Sequence, residues 1–149
     1  GKEGYTYVAG RAAELINSGI CSEEEIKSVD LRKIAAFFDT DIGKRCIDAS
    51  RAGVLYKEQP FESKISISGE DVLVQGVIDC FFREDDKYVL IDYKNSYIDP
   101  EHKEEGLNRI KETYSTQVEL YREALQMIKG GEVEESYLYL FSEGEFIEI

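Results

Sequence analysis

Two apolar runs, each closed by a carboxylate, constrain this chain more than any other feature. The first is Val72-Leu-Val-Gln-Gly-Val-Ile-Asp79 and the second is Tyr88-Val-Leu-Ile-Asp92-Tyr-Lys94. Short runs rich in Val, Ile and Tyr read as strands, the first extending to about Phe82. The polar link Glu84-Asp-Asp86 is short enough to fold them into an antiparallel hairpin. Side chains alternate along a strand, so Asp92 and Lys94 point to the same face, about 7 Å apart. An acid at the end of an apolar run is costly when buried unless a cation, a hydrogen-bond network or solvent meets it. The hairpin can bring Asp79 and Asp92 side by side, where like charges repel and raise one pKa unless a metal separates them.

The flanking segments supply the rest of an α/β domain. Ala9, Ala12, Ala13, Leu15 and Ile16 recur at helical spacing, and Gly19 is a natural stop. Ser22 with Glu25 forms a capping-box pattern, and Asp30 can cap a helix whose Leu31, Ile34, Ala35 and Phe38 share one side. A further short helix is expected over residues 42–52, closed by Gly53. Residues 54–58 and 61–68 read as two strands separated by Gln59-Pro60, with Ile65 and Ile67 alternating against Ser66 and Ser68. Gly69-Glu-Asp71 is expected to turn the chain into the next strand. After Pro100 a long helix is expected over residues 104–129, ended by Gly130-Gly131, followed by strands 133–141 and 146–149. The order is helices, four strands, a helix and two strands, which predicts one mixed sheet with helices packed against it. At 149 residues the chain is the size of one domain.

Composition excludes several classes. No apolar run approaches the roughly 20 residues a membrane span needs, so no membrane association is expected. Cys21, Cys46 and Cys80 form no C-x-x-C pair, which argues against a zinc or iron–sulfur site and suits a reducing cytoplasm. There is no Gly-rich phosphate loop, no G-x-S-x-G and no Cys/His pair suited to nucleophilic catalysis. His102, the only histidine, sits in a polar Pro-Glu-His-Lys-Glu loop and is read as surface.

The remaining candidates are the strand acids. Asp79 and Asp92 can ligate Mg²⁺, with Mn²⁺ as a substitute, because hard cations prefer oxygen donors and retain some waters. The Tyr93 carbonyl can add a third oxygen. Lys94 can orient or help deprotonate an attacking water, or stabilise charge on a phosphate in flight; a salt bridge to Asp92 is compatible with either role. Gln117 interrupts an apolar stripe formed by Ile110, Tyr114, Tyr121, Ala124, Leu125 and Ile128, and it shares a helix face with Tyr121 four residues on. Glu58 by itself is a polar strand end. The net charge of −13 opposes phosphate binding by this surface alone. Either the domain does not touch nucleic acid, or another element holds the strand and feeds it in.

In order, Glu58 with Pro60-Phe61, Gly76-Val-Ile-Asp79, Ile91-Asp-Tyr-Lys94 and Gln117-Val-Glu-Leu-Tyr121 resemble the PD-(D/E)XK nuclease superfamily in its RecB-like form. The resemblance covers nearly the whole chain and is nearest to the C-terminal nuclease domain of AddA-type helicase–nucleases. It implies a restriction-endonuclease-like α/β fold over residues 1–149. It further implies Mg²⁺ binding by Asp79 and Asp92, catalysis by Lys94, and supporting roles for Glu58, Gln117 and Tyr121. The implied activity is exonucleolytic cleavage of single-stranded DNA during double-strand-break repair. The implied partners are the helicase domains of a parent chain and an AddB-like protein, which would supply the basic path. Two departures stand out. Such proteins commonly carry a metal-ligand histidine on a helix upstream of the first strand, whereas none precedes Asp79 here, which implies an N-terminally truncated fragment or a replaced ligand. The lysine is usually followed by Thr-Asp, whereas Asn95-Ser96 stands here. The competing reading is a docking module that keeps the nuclease fold without catalysis.

Overall fold

The runs that end on Asp79 and Asp92 form neighbouring strands of a five-stranded sheet. The computed structural model describes residues 2–149, and the side chains of all of these except Lys2, Glu3 and Ile67. In chain order the elements are α1 (Lys2–Asn17), α2 (Glu23–Ser28), α3 (Leu31–Asp39), α4 (Asp41–Arg51), β1 (Leu55–Ile67), β2 (Glu70–Glu84), β3 (Lys87–Lys94), α5 (Lys103–Lys129), β4 (Glu132–Leu140) and β5 (Glu145–Glu148). The 3-10 turn Pro100–His102 leads into α5. The chain divides into two compact units, one ending at Asp48 and the other running from Ala49 to Ile149.

In the first unit local signals set the helix ends. Ser22 accepts from the Glu25 N–H at 3.1 Å, and the Glu25 carboxylate accepts the Ser22 N–H at 2.7 Å, so the capping box forms. Asp30 caps α3 through the Arg32 N–H at 3.0 Å. On α3, Ala35 and Phe37 are the buried residues. Phe38, expected inside, is half-buried and meets the Tyr7 ring edge-on at 5.1 Å.

The second unit is a mixed sheet in the order β1-β2-β3-β4-β5. All neighbours are antiparallel except β3 and β4, which run parallel. A parallel pair needs a crossover, and α5 provides it. This is the mixed α/β architecture expected of a restriction-endonuclease-like fold. One expectation fails: residues 54–58 and 61–68 are not two strands, because β1 is continuous from Leu55 to Ile67. Pro60 is tolerated because β1 is an edge strand, where its missing N–H breaks no ladder bond. Three strands therefore precede α5 instead of four. The β1–β2 turn falls at Ser68-Gly69, both with positive φ (53° and 85°), one residue earlier than expected. The inward direction expected of Ile67 falls outside the described side chains.

The core lies between α5 and one face of the sheet. Val118, Ala124 and Leu125 of α5 pack with Phe81, Leu90, Leu138 and Leu140. Burial of Val118 or Leu125 stabilises the unit by about 2 kcal/mol apiece. Ile128, expected in the same stripe, is half exposed at the end of the helix, and Val118 takes an inward place instead. Gly76 lets the helix come close: a Cβ there would stand 2.9 Å from the Phe61 ring and 3.3 Å from the Tyr121 ring. Those two rings meet edge-on at 5.4 Å. Among the described residues, no helix is long and apolar enough to cross a membrane.

A candidate metal and catalytic site where the strands part

The site arises from an irregularity shared by three strands. β1 and β2 pair as Lys57↔Cys80 and Gln59↔Ile78, which leaves Glu58 opposite Asp79 without a ladder pair between them. Glu58 takes a left-handed backbone (φ 48°), a conformation that costs a residue with a Cβ on the order of 1 kcal/mol. Ile78 and Phe81 both join the core under α5, although residues three apart face opposite sides of a regular strand. The alternation therefore slips at Asp79. The β2–β3 ladder also ends here: its last pair is Cys80↔Ile91, so Asp79 and Asp92 occupy the next row. Glu58, Asp79 and Asp92 thus stand in one row across β1, β2 and β3, at the point where β2 leaves β3.

The Asp79 side chain replaces the missing ladder bond. Its Oδ2 accepts the Tyr93 N–H at 2.9 Å. The parting strands open a cleft of about 330 Å³ lined by Lys57, Glu58, Asp79 and Tyr93. Asp92 lies behind it, 2% exposed. Burial pushes the Asp92 carboxyl above the usual carboxylate range, and the nearby Asp79 adds to this while Lys94 opposes it. Asp92 Oδ2 lies 2.8 Å from Lys94 Nζ as a buried ion pair.

From the other side α5 reaches the same lysine. Lys94 Nζ donates to Gln117 Oε1 at 2.9 Å, and Gln117 Nε2 donates to the Tyr121 hydroxyl at 2.9 Å. An ammonium has no acceptor, so Gln117 must turn its carbonyl to Lys94 and its amide to Tyr121. This explains an amide within an apolar stripe: both of its ends are satisfied. The Tyr114 ring lies 4.4 Å from the same Nζ.

The structure therefore brings Asp79, Asp92, Lys94, Gln117 and Tyr121 together, with Glu58 in the same row and exposed in the cleft. Glu58 does not complete a cage. Among the described residues, no group of three His, Cys, Asp or Glu is placed to hold a metal ion. His102 lies apart, in a cleft of about 340 Å³ lined with Asp99, Glu105, Gly106 and Arg109. Cys21, Cys46 and Cys80 are thiols. Two neighbours of the site do not stand out in the sequence as part of it. Lys57 precedes Glu58 and lines the cleft; Tyr114 reads as core, and its spacing of three from Gln117 is the signal that places it on the same face.

The donors suit a hard divalent cation. A buried carboxylate (Asp92), a second carboxylate in the same row (Asp79) and the adjacent main-chain carbonyl of Tyr93 form an all-oxygen set. Two carboxylates are sufficient for Mg²⁺, which keeps several waters and takes its remaining oxygens from substrate phosphate.

No family model matches the chain. It is 39% identical over 146 residues to a protein of Thermoanaerobacter sp. (strain X514) named as an ATP-dependent helicase/nuclease subunit, covering 91% of this chain and 11% of that protein. Proteins of the same name match in Clostridium acetobutylicum (35% over 147 residues, 91% of this chain and 11% of that protein) and in Anoxybacillus flavithermus (40% over 138 residues, 90% and 11%). The chain spans 11% of the length of these relatives.

Proposed function

We propose that this chain, homologous to a segment of those ATP-dependent helicase/nuclease proteins, is the nuclease portion of a larger helicase–nuclease of the AddA type. Its reaction is Mg²⁺-dependent hydrolysis of phosphodiester bonds in single-stranded DNA, exonucleolytic and in the service of double-strand-break repair. The observation that carries this reading is the Asp79, Asp92 and Lys94 cluster, in which Asp79 lines the cleft and the Asp92–Lys94 ion pair is backed by Gln117.

Asp79, Asp92 and the Tyr93 carbonyl would hold the cation, which when bound supplies charge stabilisation to the scissile phosphate and lowers the pKa of a bound water. The chain's own groups do the remaining work. Asp79 holds the Tyr93 main chain, and with it the carbonyl, in place. Asp92 and Gln117 fix the Lys94 ammonium, which faces the developing negative charge on phosphorus-bound oxygen or orients the attacking water. Glu58 and Lys57 line the cleft; the lysine suits phosphate and the glutamate suits a water. The net charge of −13 fits a machine in which other parts, its motor domains and an AddB-like partner, deliver the strand.

The test is cleavage of single-stranded DNA with Mg²⁺ or Mn²⁺ by the full-length parent complex bearing Asp92→Ala. Loss of cleavage by the parent of this chain supports the assignment, and undiminished cleavage overturns it. The absence of a three-residue ligand cluster among the described residues favours one alternative, a docking module that retains the fold without catalysis. That alternative predicts no metal binding dependent on Asp79.

A further inference from the structure

Lys94 is enclosed on three sides, and only two of them are acceptors. Asp92 Oδ2 stands 2.8 Å from Nζ and Gln117 Oε1 accepts from it at 2.9 Å. On the third side is the ring of Tyr114, its centroid 4.4 Å from the nitrogen. We propose that Tyr114 is a positioning residue that holds the Lys94 ammonium at the site through its ring face.

A lysine side chain has four rotatable bonds, and two acceptors alone leave its ammonium room to swing toward the open cleft. The negative face of an aromatic ring attracts a cation, more strongly when water is excluded. The Lys94 side chain is 17% exposed, so this contact is largely desolvated. The ring itself is well anchored, half-buried and packed against the core under α5. Tyr114, Gln117 and Tyr121 lie at positions i, i+3 and i+7, so one helix face presents the ring and the amide to the lysine, with the Tyr121 hydroxyl holding the amide. The ring face is what the role requires, and phenylalanine would supply it equally.

This inference rests on the nuclease reading for its consequence, but not for its geometry. The test uses the full-length parent complex with Tyr114→Phe, Tyr114→Leu and, as a control, Lys94→Met. Leucine keeps an apolar side chain of good helix propensity while removing the ring. Single-strand cleavage is read as kcat and KM separately. Labelling of Lys94 by an amine-reactive acetylating reagent is read by peptide mass spectrometry.

Tyr114→Phe should keep kcat and labelling near wild type. Tyr114→Leu should lower kcat about five- to thirtyfold, the range a desolvated cation–π contact supports, with KM little changed. It should also raise Lys94 labelling severalfold, because the freed ammonium reaches solvent. Wild-type kcat and labelling in Tyr114→Leu overturn the proposal. Equal losses in the Phe and Leu variants also overturn it, since they would assign the effect to the hydroxyl. Undiminished cleavage in Lys94→Met overturns the nuclease reading instead, and the labelling comparison then still decides the role of Tyr114.

Discussion

Asp79 Oδ2 accepts the main-chain N–H of Tyr93 at 2.9 Å, so a side chain from β2 occupies the place of a ladder bond just where β2 and β3 part. One carboxylate oxygen thereby stabilises the fold at the point where strand pairing fails. Asp79→Ala leaves that amide unpartnered in a half-buried position and is expected to cost about 1–3 kcal/mol. Asp79→Asn keeps an acceptor and should cost less than half as much. Urea unfolding of the two variants distinguishes them; equal stability would show that the bond carries no weight.

Asp92 gives the cation-free protein a pH signature. Its folded pKa is raised, chiefly by burial, so the folded state holds this proton more tightly than the unfolded chain does. The stability it contributes is complete below the ordinary carboxylate pKa and is lost as pH rises from that value to the raised one. The stability of wild type relative to Asp92→Asn should therefore fall across that window in a pH series of denaturant melts without metal. A difference that grows with pH would contradict the assignment.

Glu58 is the strained member of the row. Glycine adopts its φ of 48° without a Cβ penalty, so Glu58→Gly is expected to raise stability by up to about 1 kcal/mol. The same change should lower cleavage by the parent complex, because it removes a carboxylate from the cleft. Thermal melts and a cleavage assay on the one variant should move in opposite directions; a variant that loses both stability and cleavage would contradict the strain argument.

Gly76 sets how closely α5 approaches the sheet. A methyl group there would stand 2.9 Å from the Phe61 ring and 3.3 Å from that of Tyr121. Gly76→Ala should destabilise by about 1–3 kcal/mol through overpacking. It should also displace Tyr121, the acceptor for Gln117. Chemical denaturation with tyrosine fluorescence checks both; a neutral variant would mean that the rings retreat freely.

Much of this site is legible in the sequence because acids closing apolar strands are chemically conspicuous. Asp79, Asp92 and Lys94 declare themselves by spacing, and the short polar link to β3 fixes their adjacency. Gln117 stands out as an amide in an apolar stripe, and its two hydrogen bonds account for it. What cannot be read is the alternation slip at Asp79. Period-two reasoning assumes regular pleating, and the left-handed Glu58 that breaks it carries no mark in a residue type seldom found there. For the same reason Gln59-Pro60 reads as a strand break, although an edge strand accommodates proline. The role of Tyr114 stays hidden because a tyrosine on an apolar stripe reads as core, which it also is.

The central claim is that Asp79 and Asp92 form a divalent-cation site. Calorimetric titration of Mn²⁺ into wild type, Asp79→Ala and Asp92→Ala tests it most directly. Saturable binding in wild type, lost in both variants and weakened as pH falls through the raised pKa of Asp92, is the predicted result. Binding of equal affinity in all three proteins, or none in wild type at neutral pH, would contradict it.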